Sequence, residues 1–141
     1  MRSRSIRLLG CTAAVALAAA ATAAGGGAAS QGGFAFGRSG GNIRPYTVTI
    51  AAGGAVHTSG PVTVGQRHLS AAKLAALRRL AQQTGFSTLP LSKSCAGALP
   101  DVASTFIRVG SRTVRAHGFC LEPYNRLWLA LTRAVGLSGM T

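Results

Sequence analysis

Cysteines are the first residues in this sequence that could do chemistry. How many of them the mature protein keeps depends on an N-terminal leader. The sequence contains Cys11, Cys95 and Cys120, and Cys11 lies inside an apolar leader that we expect to be removed on export. Cys95 and Cys120 then form an even pair, which in an exported chain is by default a disulfide. The sequence therefore predicts a Cys95–Cys120 disulfide that stabilises the fold by about 3 kcal/mol.

The same region offers an alternative, which is a metal or thiol site. The predicted hairpin register sets Asp101 opposite Cys120, with His117 and Glu122 close in sequence, and cysteine, histidine and carboxylate are all zinc ligand types. The spacing matches no compact metal motif, and an oxidising compartment favours the disulfide. We therefore expect neither a metal nor any other cofactor.

Groups for acid–base catalysis are scarce. Only Asp101 and Glu122 are acidic, and the histidines are His57, His68 and His117. No G-x-S-x-G elbow, phosphate-binding loop or dinucleotide fingerprint is present. Local roles explain the carboxylates, one at a strand entry or beside an arginine and the other at a helix start. We expect a protein that is not an enzyme; the alternative is a secreted hydrolase in which His117, Asp101 and a serine meet in a cleft.

The remaining functional signal is positive charge. The chain has 15 Lys and Arg against 2 Asp and Glu, and removing residues 1–24 takes away three arginines and leaves a net charge of +10. Arg108, Arg115 and His117 fall on one predicted sheet face with Phe106 beside them, and such a face can bind anionic polymers through charge. The alternative is a solvated face in an arginine-biased sequence. No motif indicates specific nucleic-acid recognition.

The leader itself is typical of a secretory signal peptide. Three arginines precede an apolar, alanine-rich run over residues 8–24, with small residues where signal peptidase cuts, near 23–24. An uncleaved membrane helix is the alternative, but the run is short and its alanines insert weakly. Cys11 precedes most of this run, too early to be a lipid anchor. We therefore expect residues 1–24 to be cleaved, leaving a secreted or envelope-associated protein with no membrane span.

Composition divides the remainder into two parts. Residues 25–43 are rich in glycine and nearly uncharged, so they are expected to bury too little surface to offset their ordering entropy and to form a flexible segment. Residues 44–138 carry regular hydrophobic patterns and are predicted to form one domain.

Two hairpins are predicted in this domain from alternating apolar residues. In the first, "YTVTI" turns through a three-residue loop over 52–54, which sets Ile50 opposite Val56. The second turns at Gly110-Ser111 and sets Ile107 opposite Val114.

A helix follows each hairpin. The first begins after Ser70 and ends at Gly85, and the second has Pro123 in its first turn and ends at Gly136. Their apolar stripes are Leu74, Leu77, Leu80 and Ala81 in the first helix and Tyr124, Leu127, Trp128, Leu131 and Val135 in the second. The order predicts an α+β fold in which two helices pack on one face of a four-stranded antiparallel sheet; the alternative is a more closed, barrel-like sheet.

Several of these segments resemble an uncharacterised family of small secreted bacterial domains. The resemblance rests on "YTVTI", a glycine-containing turn, "LAALRRL", "GFSTLP" and "PDVASTFIRV", and it spans residues 45–137. The acidic residue usual in the first turn of that family is replaced here by Gly53-Gly54. The resemblance implies the hairpin–helix–hairpin–helix fold and export, and it implies no activity.

Taken together, these patterns predict an exported, disulfide-linked domain that is not an enzyme and that binds an anionic cell-envelope polymer or a protein. The alternatives are the secreted hydrolase described above and an enzyme-inhibitor-like module. An inhibitor-like module would expose an apolar or loop-borne patch in place of a basic sheet face.

Overall fold

Residues 32–138 are the part of the chain that this computed structural model describes, and they form two helices and eight strands. In chain order the elements are β1 (Phe34–Ser39), β2 (Tyr46–Ile50), β3 (Val56–Ser59), β4 (Thr63–Val64), α1 (Ala71–Gln83), β5 (Ser92–Ser94), β6 (Ser104–Val109), β7 (Arg112–His117), α2 (Glu122–Val135) and β8 (Leu137–Ser138). A short 3-10 turn, Phe86–Thr88, follows α1. The predicted signal peptide, residues 1–24, lies outside the described residues.

The strand β1 corrects the prediction of a flexible segment over 25–43. It pairs antiparallel with β2 on one side and with β6 on the other, so the folded domain begins before residue 44. Phe34 and Phe36 are only 1% and 0% exposed. Because each buried phenylalanine removes a large apolar area from water, two of them anchor a segment whose overall composition is otherwise poor in apolar side chains.

The main sheet has six strands in the order β3-β2-β1-β6-β7-β5, where four were predicted. The two additional strands are β1 and the three-residue β5, which runs parallel to β7. Both predicted hairpin registers are confirmed, with Ile50 opposite Val56 and Ile107 opposite Val114. Since β3 and β5 are the two ends of the strand order, the sheet is open rather than barrel-like. The short strands β4 and β8 pair separately.

The helix α1 begins and ends where its capping residues predict. The Ser70 side chain accepts a hydrogen bond from the Lys73 backbone N–H at 3.3 Å, and Thr84 closes the helix immediately before Gly85. Leu74, Leu77 and Ala81 are buried, while Leu80 is half-buried. The helix therefore turns its predicted apolar stripe to the core.

The helix α2 buries the whole of its predicted apolar stripe. The Phe36 ring of β1 meets Trp128 edge-on with 5.6 Å between ring centroids, which is a favoured aromatic geometry. Tyr124 stacks on Trp128 from within the helix. The side chains of both helices and of alternate strand residues form one core cluster, so both helices pack on the same face of the sheet.

A buried hydrogen-bond chain fixes α2 to the second hairpin. The Tyr124 hydroxyl donates to Thr105 Oγ1 at 3.0 Å, and the Thr105 hydroxyl donates to the Ala116 carbonyl at 3.2 Å. Burial raises the pKa of the Tyr124 hydroxyl well above its ordinary value, and the hydrogen bond with Thr105 offsets part of that effect. The Tyr124 and Thr105 hydroxyls are thus both hydrogen-bonded, as the low dielectric of a core requires.

The predicted disulfide between Cys95 and Cys120 is confirmed. It joins the loop that follows β5 to the segment between β7 and α2, with 5.6 Å between the two Cα atoms. Cys95 is buried, and its backbone N–H donates to the His117 carbonyl at 2.8 Å. The bond therefore holds the long connection between α1 and β6 against the end of the second hairpin.

The position of β1 is tested by adding one methyl group at Gly37. A Cβ there would lie 2.0 Å from the Tyr46 carbonyl oxygen. Because this oxygen belongs to the backbone of a paired strand, it can move away only at a cost in free energy. We expect Gly37→Ala to lower the free energy of unfolding in urea by about 1–3 kcal/mol. The matched control is Gly53→Ala, where a Cβ meets nothing within 4 Å and the change should stay within about 0.5 kcal/mol. Equal stability of the two variants would contradict the central place of β1.

Removing the disulfide should weaken the fold measurably. We expect the double variant Cys95→Ala/Cys120→Ala to lower the free energy of unfolding in denaturant by about 3 kcal/mol. The reason is that the disulfide no longer restricts the unfolded chain by joining residues that are 25 positions apart. Wild-type protein in reductant should show the same loss. Alkylation and mass mapping of the purified exported protein check the bond directly, and free thiols at both positions would refute it.

Candidate functional site

The face of the sheet opposite the helices carries the side chains predicted to bind anions. Phe106 and Arg108 project from β6, and Arg115 and His117 from β7, at alternate positions to the buried Ile107, Val114 and Ala116. Arg108 and Arg115 are exposed, whereas Phe106 and His117 are half-buried. These four residues share one face, which is here named the basic sheet face.

Phe106 and Arg115 form the centre of the basic sheet face. They lie directly opposite each other on β6 and β7, and the Arg115 guanidinium lies 5.5 Å from the centroid of the Phe106 ring. This distance is within the range of a cation–π contact, which orients the guanidinium plane without neutralising its charge. Arg108 follows two residues along β6 and lies opposite Thr113.

The central strand makes room for the Phe106 ring. Gly37 of β1 is the partner of Phe106 in the ladder, and a Cβ at Gly37 would lie 3.0 Å from Phe106 Cε1. The ring therefore extends over β1 and covers the bare backbone of the glycine. This contact was missed in the sequence because the pairing of β1 with β6 joins residues about 70 positions apart.

His117 is held at one end of the basic sheet face by two hydrogen bonds. Its Nδ1 lies 3.2 Å from Ser104 Oγ, and its Nε2 lies 3.0 Å from the Leu99 carbonyl oxygen. Because a carbonyl only accepts, the proton is assigned to Nε2, and Nδ1 of the neutral ring accepts from the Ser104 hydroxyl. The ring is therefore fixed in orientation at this end of the face.

The arrangement around His117 supplies two of the three groups that the hydrolase alternative requires. A serine hydroxyl faces a histidine nitrogen, but the second nitrogen faces a main-chain carbonyl where a catalytic triad has a carboxylate. Within residues 32–138 no hydrogen bond or ion pair joins the Asp101 carboxylate to His117. His57 and His68 lie around the β2–β3 hairpin, at the opposite edge of the sheet.

The ligands of the alternative metal site are separated by the fold. The sulfur of Cys120 is bonded to Cys95 and is no thiolate. Glu122 lies in the first turn of α2, where Arg126 approaches it to 3.9 Å. In the described part of the chain, no three histidine, cysteine or acidic side chains gather around one point.

A second surface lies in the loops near the disulfide. Exposed apolar side chains surround the start of β6, and Phe119 is 71% exposed. A cavity of about 380 Å³ is lined by three of these side chains, Ile43, Val102 and Phe119, and by Arg38 and Asp101. The surface, here named the apolar loop end, consists of Ile43, Leu99, Val102 and Phe119. Sequence reasoning missed it because loop residues carry no periodicity, although Phe119 between Gly118 and Cys120 is an aromatic residue outside any amphipathic pattern.

Two surfaces thus stand out on residues 32–138, the basic sheet face and the apolar loop end. Neither helix of this part of the chain is long and apolar enough to cross a membrane; they contain 13 and 14 residues, and a span needs about 20. Comparisons of the chain with protein-family models, with curated proteins and with solved structures found no match.

Proposed function

We propose that this protein is an exported binding domain without catalytic activity, and that its basic sheet face binds an anionic polymer of the cell envelope. The observation that carries the proposal is that Arg108, Arg115 and His117 share with Phe106 a sheet face that no described helix covers, with Arg115 over the Phe106 ring. The disulfide fits an extracellular location.

The charge of this face is not cancelled by acidic neighbours. The sequence has only two acidic residues; Asp101 lies in the loop before β6, and Glu122 lies on α2 beside Arg126. Neither projects from the sheet. A face lined by one sign of charge raises the local concentration of an opposite charge, and guanidinium groups donate to phosphate and carboxylate with two parallel hydrogen bonds.

The shape of the face suits an extended ligand. The neighbouring strands β1 and β2 carry small or short side chains at Ala35, Gly37, Thr47 and Thr49, so the face is shallow beside the arginines. An extended polymer can lie across such a surface and place successive charges near Arg108 and Arg115. Single small anions would gain only one contact at a time, so polymers should bind more tightly.

The salt dependence of binding tests this function. Binding of purified protein to polyphosphate and to polyglutamate is measured by titration over a range of salt concentrations. We expect Arg108→Gln/Arg115→Gln to weaken binding at least tenfold and to lower the slope of log affinity against log salt by about 2, one for each lost contact.

The matched control is Arg79→Gln/Arg133→Gln, which removes the same charge from exposed positions on α1 and α2. Its affinity should fall much less than that of the sheet-face variant. If the two double variants weaken binding equally, the net charge and not the basic sheet face accounts for binding. Binding that ignores salt would also contradict the charge argument.

The apolar loop end supports a second candidate function, which is a protein-binding module of the enzyme-inhibitor type. Phe119 protrudes next to Cys120, and the disulfide limits the motion of the loop that carries it. Exposed aromatic anchors on pre-organised loops are typical of the residues that dominate protein interfaces. The partner expected here is an exported enzyme with an apolar pocket that accepts the Phe119 ring.

An inhibition assay tests this second function. A panel of purified secreted peptidases of the serine, cysteine and metal-dependent classes is assayed with the protein. We expect inhibition of at least one class, and a loss of about 30-fold or more in affinity with Phe119→Ser, as for an interface hot spot. Leu129→Ser is the control, because Leu129 is a comparable exposed apolar residue on α2. No inhibition, or equal inhibition by both variants, would contradict the proposal.

A further inference from the structure

A separate charged cavity lies on the helix side of the sheet. It has a volume of about 210 Å³ and opens between α1, the 3-10 turn and the β6–β7 turn. Its apolar lining comes from Ala81, Phe86 and Val109, of which the first two are buried. Its charged lining comes from Arg78 and Arg112.

Both arginines are positioned by the main chain. The Arg78 Nη2 donates to the Ala52 carbonyl at 3.1 Å, and the Arg112 Nη2 donates to the Leu89 carbonyl. These acceptors belong to the β2–β3 turn and to the segment after the 3-10 turn. Two different loops therefore hold the guanidinium groups at the cavity before any ligand arrives, which reduces the entropy lost on binding.

Arg112 has one donor at this cavity that residues 32–138 leave without an acceptor. Arg112 Nε is buried and has no hydrogen-bond acceptor among the described residues, and no acidic side chain lines the cavity. Asp101 precedes the opposite end of β6, and Glu122 lies near Arg126. A buried donor without an acceptor is costly, and an anion in the cavity would supply an acceptor for Arg112.

We propose that this cavity binds a small carboxylate with an apolar body. The carboxylate would accept hydrogen bonds from the guanidinium groups of Arg78 and Arg112, since a planar guanidinium matches two carboxylate oxygens. The hydrocarbon would lie on Ala81, Phe86 and Val109. Pockets for drug-sized ligands are about 300–1,000 Å³, so the smaller volume here limits the ligand to a short chain or a single ring. Phosphate shares the charge but lacks the hydrocarbon.

Titration of the purified protein, followed by amide NMR, tests the site. We expect benzoate and hexanoate to shift the amide signals of Gln82, Ser87 and Gly110, which line the cavity, in a saturable manner. Benzyl alcohol, which has the ring without the charge, should bind at least tenfold more weakly, and so should inorganic phosphate. Tighter binding of phosphate than of benzoate would contradict the apolar half of the site, and shifts confined to β6 and β7 residues of the basic sheet face would contradict its location.

Single-residue variants distinguish benzoate binding at this cavity from attraction to the net positive charge of the protein. Arg112→Gln should weaken benzoate binding by about tenfold or more, because one charge-assisted contact is lost. Arg79→Gln on α1 and Arg115→Gln on the basic sheet face should leave it unchanged. Unchanged affinity in Arg112→Gln would overturn the proposal.

A second variant and a second measurement cover the case in which Arg112→Gln fails to fold. Arg78→Gln should also weaken benzoate binding about tenfold. Benzoate above its Kd should raise the melting temperature of the wild type with the logarithm of its concentration, and should raise that of Arg78→Gln much less. Equal shifts of melting temperature in the two proteins would refute the site.

Discussion

The pairing of β1 between β2 and β6 is the constraint on which the rest of the structure depends. Without β1 the sheet would divide into the β2–β3 hairpin and a three-stranded unit of β5, β6 and β7, and an isolated two-stranded hairpin is at best marginally stable in water. β1 joins them through ladders on both edges, and its Phe36 meets Trp128 of α2. One strand thus unites the two hairpins and gives α2 an aromatic surface on which to pack.

The same strand separates the two faces of the sheet by side-chain size. Towards the helices it presents phenylalanines, and towards the opposite face it presents Ala35 and Gly37, following the two-residue period of a strand. The small residues leave space that the Phe106 ring covers. Because the ring spreads over β1, the Arg115 guanidinium above it lies near the middle of the sheet rather than at its edge. The basic sheet face is therefore a consequence of β1 as much as of the arginines.

Local sequence patterns predicted much of this fold, but they did not predict the features that depend on contacts between residues distant in sequence. Ile50 opposite Val56 and Ile107 opposite Val114 follow from alternation and turn length, and the buried stripe of α2 follows from helical periodicity. β1 was missed because the glycine content of residues 25–43 indicates flexibility, while the stability of the strand comes from partners distant in sequence. The basic sheet face was predicted from the hairpin register, whereas the Arg78–Arg112 cavity unites residues from a helix and a hairpin whose proximity no periodicity reveals.

The excess of arginine has different physical consequences at different places in the fold. On the basic sheet face, Arg115 lies over an aromatic ring and keeps its charge exposed to solvent. Beside the cavity, Arg112 donates to a loop carbonyl and so connects the hairpin to the segment after the 3-10 turn. With two acidic residues in the whole sequence, few of these charges can be neutralised within the chain. A protein of this composition has its guanidinium groups satisfied by carbonyls, aromatic rings and solvent, and anionic ligands compete for the donors that remain.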